Sequence, residues 1–250
     1  LTKKDEPFSA ALFYLSDMKL ATGKDFDSTT GELKNKKVMM LSETQAQALI
    51  EELSSGPWTI IDREEKPQTS YPPPPFITST LQQAAGTKLR FSAKRTMITA
   101  QKLYENGFIT YMRTDSVQLS SEAIQSARNM IKSSFGEKYL PEKPNYYKSK
   151  VKNAQEAHEA IRPAGSAIKS AEEVERSLGK DAVNLYKLIR MRTLACQMNP
   201  AKILRTIILI QNQKAIFRAI GKVIQFPGYR LAYVESQSQE KKQIDDEVLP

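Results

Sequence analysis

In the run Gly107-Phe-Ile-Thr-Tyr-Met-Arg-Thr-Asp-Ser116, Tyr111, Arg113 and Asp115 stand at alternate positions. In an extended chain side chains alternate, so the three share one side. A tyrosine hydroxyl can attack phosphorus, but with a pKa near ~10 it is a weak nucleophile until its proton is taken or its phenolate is stabilised. A guanidinium two residues on can give that stabilisation, and its fork can hold the non-bridging oxygens of a five-coordinate phosphate. Asp115 could orient Arg113. The plainer alternative is a structural tyrosine at the end of a strand, and the chain has 10 tyrosines.

The stretch Thr87–Arg113 leads into that run and carries Lys88, Arg90, Lys94, Arg95, Lys102 and Arg113 against Glu105 alone. Phe91, Tyr104, Phe108 and Tyr111 lie among the charges. Cations that neutralise phosphates, mixed with rings that stack on bases, suit single-stranded nucleic acid. A solvated helix face with its aromatics in the core has the same composition. A third stretch, Ala154-Gln-Glu-Ala-His-Glu-Ala-Ile-Arg-Pro163, places His158 and Arg162 four apart. On a helix they share a face that could bind a phosphate. The alternative is an exposed polar turn in which Glu156 and Glu159 offset local cations.

The composition limits the chemistry. The 250 residues hold one His and one Cys, which rules out an internal disulfide, Cys-rich zinc and His-cluster metal sites. Lys and Arg number 37 against 28 Asp and Glu, a net charge of +9 that points to a polyanion partner or merely to solubility. At 40% hydrophobic residues the chain can build a core, and no apolar run reaches membrane-spanning length. It begins at Leu1 without Met, signal or transit pattern and ends after the acidic run Asp245-Asp246-Glu247, so it reads as a piece of a longer polypeptide.

Local patterns give the elements that must position these groups. Residues 10–15, 38–41 and 58–61 read as strands around a helix that begins with the capping box Ser42–Gln45. Arg63–Pro75 is charged and ends in four prolines, which predicts a stiff extended crossing outside any sheet. From Thr78 to Met198 the pattern is helical. Ser79 or Thr80, Ser92, Ser120, Ser170 and Asp181 are the expected caps, Met97, Ala100 and Tyr104 share one helix face, and Phe108–Met112 is short and β-like. Residues 203–210 and 215–220 form an expected hairpin around Gln211-Asn212-Gln213, and Val223-Ile224 and Leu231–Val234 read as further strands. The expected organisation is α+β: a β-rich domain over 1–76 that returns over 201–250, with a helical domain over 77–200 inserted.

The blocks Pro74-Pro-Phe-Ile-Thr-Ser-Thr-Leu-Gln-Gln-Ala-Ala85, Gly107–Ser116 and Gln155-Glu-Ala-His-Glu-Ala-Ile-Arg-Pro163 resemble, in order and spacing, those of the type IA DNA topoisomerases, most closely the bacterial members. The flanks, including Phe226-Pro-Gly-Tyr229, are similar to the arch that carries the tyrosine domain. The resemblance implies that Tyr111 cleaves one DNA strand and stays joined to its 5′ phosphate, with Arg113 supporting the scissile phosphate. It places His158 and Arg162 near bound single-stranded DNA and Gln101, Tyr104 and Asp115 around the same pocket. Lys88, Arg90, Lys94 and Arg95 are the remaining expected DNA contacts. Ala164 departs from the family, which often has Thr or Ser there.

The resemblance further implies ATP-independent relaxation of negatively supercoiled DNA and a monomer acting in the cytoplasm at the nucleoid, or its organellar equivalent. Magnesium is expected for the complete enzyme, with ligands in a Toprim domain that this chain lacks, and none held here. Alone, the chain is expected to be inactive. Two rivals stand beside this reading. One is a single-stranded nucleic-acid-binding module without chemistry. The other is a tyrosine recombinase or type IB enzyme, which sets its tyrosine after the Arg and His motifs, whereas Tyr111 precedes His158.

Overall fold

The computed structural model describes residues 8–35, 37–148, 159–165 and 168–234. Strands β1 (Ala11–Leu15), β2 (Met18–Leu20) and β3 (Val38–Met39) precede helix α1 (Glu43–Leu53) and strand β4 (Thr59–Ser70). Helices α2 (Thr78–Leu89), α3 (Ala93–Glu105), α4 (Ser121–Ser134), α5 (Ala171–Leu178) and α6 (Lys180–Cys196) follow. Strands β5 (Ala201–Asn212) and β6 (Ala215–Phe226) and the short helix α7 (Leu231–Val234) complete the described chain. The six strands form one mixed sheet in the order β3-β2-β1-β6-β5-β4. β1 pairs antiparallel with β2 and β6, and β2 pairs parallel with β3.

Packing divides the described chain into two units. One runs to Gln68 and resumes over Ile203–Ile224; the other holds Thr69–Lys202 and the residues from Gln225. The fold is thus α+β, with a helical unit inserted into a β-rich one. In the β-rich unit, Leu49 and Leu53 of α1 pack with Leu15 and Ala215. Ser42 caps α1 as its sequence predicts: its hydroxyl accepts the Gln45 N–H at 3.2 Å while Gln45 accepts the Ser42 N–H at 2.9 Å. In the helical unit, α2, α3, α5 and α6 share a core that includes Leu81, Leu103, Val174, Leu185 and Ile189. Ala127 and Ile131 of α4 pack with Leu194, Ala195 and Ala232 in a second cluster.

Several local expectations are corrected. Much of the charged Arg63–Pro75 run lies within β4, because β4 is an edge strand: an edge tolerates Pro67, whose missing N–H costs no ladder bond, and solvates its charges. The α2 cap is Ile77 rather than Ser79 or Thr80; Thr80 sits in the first turn, and its hydroxyl accepts the Ile77 N–H at 3.0 Å. α6 begins after Gly179, at φ +80°, leaving Asp181 inside the first turn. Leu231–Val234 is helical rather than a strand, with Leu231 and Tyr233 packed against the second cluster. The acidic run Asp245–Glu247 lies outside the described residues.

The turn into α7 depends on Gly228, which has φ +50° and lies against the backbone of Asn199 and Pro200. A Cβ there would overlap both carbonyl oxygens, which are backbone atoms with little freedom to move. Gly228→Ala is expected to destabilise the helical unit by about 3 kcal/mol, from the left-handed backbone and the overlap together. A thermal melt of the variant unchanged from the parent would contradict this.

Candidate active site

The segment bearing Tyr111 is held between two others. Isolated bridges join Phe76 to Ile161 and Ile109 to Pro163. The expected short strand over Phe108–Met112 is therefore reduced to one bridge, because the segment bends at Met112 and Arg113. Thr110, next to the tyrosine, is bonded on both its backbone and side chain: its N–H donates to the Arg162 carbonyl (2.9 Å), its hydroxyl donates to the Ala160 carbonyl (2.7 Å), and that hydroxyl accepts the Arg162 N–H (3.0 Å). On the far side, the first residue of α2 grips the chain around Arg113. The Thr78 hydroxyl donates to the Met112 carbonyl (2.8 Å) and accepts the Thr114 N–H (3.0 Å), while the Thr78 N–H donates to the Thr114 carbonyl (3.0 Å).

Within that clamp burial alternates: Met112, Thr114 and Ser116 are buried, while Tyr111, Arg113 and Asp115 are exposed. The three groups with chemical potential are therefore all open to solvent, while the residues between them are turned into the protein. Tyr111 is 47% exposed, and Tyr104 meets it edge-on at 5.2 Å between ring centroids. Tyr104, expected on the core face with Met97 and Ala100, is instead 42% exposed. Arg113 and Asp115 form no ion pair; two solvated charges this close in sequence gain little from pairing.

The remaining cations divide. Arg95 forms a fork with Asp181 (Nε–Oδ2 2.9 Å, Nη2–Oδ1 2.8 Å) and lies over the Phe91 ring at 4.3 Å, so its charge is already matched. Lys88 sits 5.0 Å from the Tyr233 ring centroid. Gln101 donates to Glu105 at 2.7 Å. Arg90, at φ +59°, ends α2, and it and Lys94 are exposed with no charge partner among the described residues.

The third motif differs most from its sequence expectation. His158 lies outside the described residues. Arg162 is not on a helical face, since Ile161 and Pro163 on either side form bridges. Its guanidinium is turned inward, with Nε and Nη2 on Glu159 (2.7 and 2.9 Å) and Nη1 on the Pro163 carbonyl (2.8 Å). Glu159 also accepts the Ser120 N–H at 2.8 Å, at the start of α4. Burial works to raise the Glu159 pKa, but the Arg162 and Ser120 hydrogen bonds outweigh it and hold the carboxyl below its usual range. Sequence reading took Glu159 for a mere charge offset and assigned no role to Thr78 or Thr110. The only available signal was that all three lie in or beside the motif blocks.

Arg162→Ala removes one partner of a mostly buried pair, an expected loss of about 3 kcal/mol, the low end of such cases because Glu159 keeps 27% side-chain exposure. Because the guanidinium is spent on protein acceptors, the slope of log affinity for DNA against log salt should not change. A slope flatter by about 0.7 would instead identify Arg162 as a phosphate contact. The depressed Glu159 contributes stability that is full above its unfolded pKa, about 4.3, and is lost as pH falls through the folded value. Glu159→Gln should abolish that acid-side loss in urea unfolding.

A family model described as DNA topoisomerase matches residues 2–250. The chain is 48% identical to DNA topoisomerase 1 of a Synechocystis species over 100% of its own length and 28% of that protein. It is also 48% identical to DNA topoisomerase 1 of Mycobacterium tuberculosis, over 92% of the chain and 25% of the relative. The structure of full-length topoisomerase I from Thermotoga maritima aligns with a TM-score of 0.65 at 34% identity, covering 86% of this chain and 35% of that one. The chain belongs to the DNA topoisomerase family, in its bacterial type IA branch. It spans 25–28% of the length of these two curated relatives.

Proposed function

We propose that this chain is the nucleophile-bearing part of an enzyme that relaxes negatively supercoiled DNA, without ATP, by cutting one strand, passing another and resealing. The observation that carries this reading is the exposure of Tyr111, Arg113 and Asp115 along a segment pinned by Thr78 and Thr110. Such pinning fixes the backbone that carries the nucleophile and its guanidinium before DNA arrives, which lowers the entropic part of the barrier. In the reaction, the Tyr111 Oη–P bond forms as the P–O3′ bond breaks. The phenol loses one proton and the departing 3′-oxygen gains one, leaving a 5′-phosphotyrosyl ester and a 3′-hydroxyl. One ester is exchanged for another, so resealing needs no added energy. The β-rich unit acts as the arch that lifts the tyrosine-bound end.

DNA, single-stranded or negatively supercoiled, is the partner in this reading, engaged by the open cations Arg90 and Lys94 and by His158, at the nucleoid and by a monomeric enzyme. Lys88, Arg95 and Gln101, already engaged within the protein, contribute less, and Arg162 serves by holding the tyrosine segment in place. No described helix is long and apolar enough to cross a membrane. The resemblance implies magnesium, but among the described residues no group of three or more His, Cys, Asp or Glu could hold a metal ion. These residues do not fit the ion, and no step here runs through it; its ligands are assigned to parts of the enzyme beyond this chain. The test is a plasmid assay with the complete enzyme: relaxation without ATP in unit steps of linking number supports the reading. Binding without relaxation supports the rival, a non-catalytic single-strand-binding module.

A further inference from the structure

A concavity begins two residues beyond Asp115. It has a volume of about 320 Å³, and its lining includes Val117, Gln118, Ile124, Asn145, Tyr146 and Gln197. That volume is at the low end for small-molecule sites and suits one ring system. Its floor is rigid. Gln197 is fully buried, donates to the Asn145 carbonyl (2.8 Å) and accepts the Asn145 N–H (3.2 Å). The Asn145 amide nitrogen donates to the Cys196 (3.0 Å) and Met198 (3.1 Å) carbonyls. Both amide hydrogens are thus spent, which fixes the orientation of the group and leaves Oδ1 an acceptor with no partner among the described residues.

Beside this fixed acceptor, Tyr146 is 78% exposed, and neither its ring nor the Gln118 side chain has a partner among the described residues. The neighbouring Tyr147 turns inward instead, donating to the Cys196 carbonyl at 2.8 Å. The Gln118 carbonyl accepts the Ala160 N–H at 2.8 Å, which ties the pocket wall to the segment that also holds Thr110. Exposed Lys143 and Lys148 flank Asn145 and Tyr146 in the chain. An open ring, the open Asn145 Oδ1 and Gln118 amide, and nearby cations are what a base with its phosphate requires, whereas an apolar peptide would leave those two polar groups unpaired.

We propose that this pocket is a nucleobase subsite for the single strand cut at Tyr111, with one base stacked on Tyr146 and its edge donating to Asn145. The proposal rests on the single-stranded DNA reading above. Seven residue steps lead from Tyr111 to Gln118, a span of at most ~25 Å. At about 3.4 Å per stacked nucleotide, the base lies within roughly seven nucleotides of the cut.

The test places 2-aminopurine at successive positions of a single-stranded oligonucleotide and follows its fluorescence on binding the complete enzyme. Quenching is expected at one position in that window. Tyr146→Ala should lose it and weaken binding about 5- to 150-fold, the range of one base–aromatic stack, while Tyr146→Phe keeps it. No quenched position, or the same profile in Tyr146→Ala, overturns the proposal; the former is also the result if another part of the enzyme fills the pocket. The covalent adduct measured on the same samples separates the two readings. Adduct without the quench removes only the subsite, and the quench without adduct removes only the cleavage chemistry.

Discussion

Tyr111→Phe in the complete enzyme is expected to abolish the denaturant-stable protein–DNA adduct while leaving oligonucleotide binding within about threefold of the parent, since only one exposed hydroxyl is lost. The substitution keeps the ring that Tyr104 touches edge-on at 5.2 Å, so the local packing survives. Other tyrosines are poorly placed to take over. Burial pushes Tyr186 up to about 12, and its hydroxyl is committed to the Lys169 carbonyl at 2.9 Å. Burial also raises Tyr147 and Tyr233, and Tyr229 is bonded to Ser70 at 3.0 Å. Tyr71, Tyr104 and Tyr146 are open to solvent, but none has an arginine pinned two residues on. Adduct persisting in the variant would move the nucleophile, with Tyr104 the first place to look.

Arg113→Ala is expected to slow single-turnover cleavage by about 10²–10³, while equilibrium binding at fixed salt weakens by less than about tenfold. A guanidinium that meets charge developing on the phosphate stabilises the transition state more than the bound substrate. Stability should hardly change, because the side chain is exposed and pairs with nothing among the described residues. Arg113→Lys should recover only part of the rate, since an ammonium lacks the planar fork. Equal losses in rate and binding would make Arg113 a simple binding residue.

The sequence made the helix starts legible wherever a cap acts within one turn, as Ser42, Ser92, Ser120 and Ser170 do. It misled where the deciding partner is distant. A charged, proline-containing run is extended loop by local rules, and only the place of β4 at the sheet edge lets it pair. Likewise the alternate spacing of Tyr111, Arg113 and Asp115 matches their alternating exposure. Nothing local announced that Thr78, 36 residues before Thr114, would clamp that segment, or that Thr110 within it would be held by Ala160, 50 residues further on. Arg162 is the sharpest case: four residues from His158 it suggested an open cationic face, yet Glu159 and two backbone carbonyls turn it inward.

The central claim is that Tyr111 captures the 5′ phosphate of a cut strand. The most direct measurement uses the complete enzyme with one oligonucleotide labelled at either its 5′ or its 3′ end, stopped with denaturant during cleavage. The predicted result is that the 3′-end label travels with the protein, the 5′-end label is released on a fragment ending in a 3′-hydroxyl, and Tyr111→Phe shows neither. A protein-bound 5′-end label, the outcome for capture of a 3′ phosphate, would contradict the account.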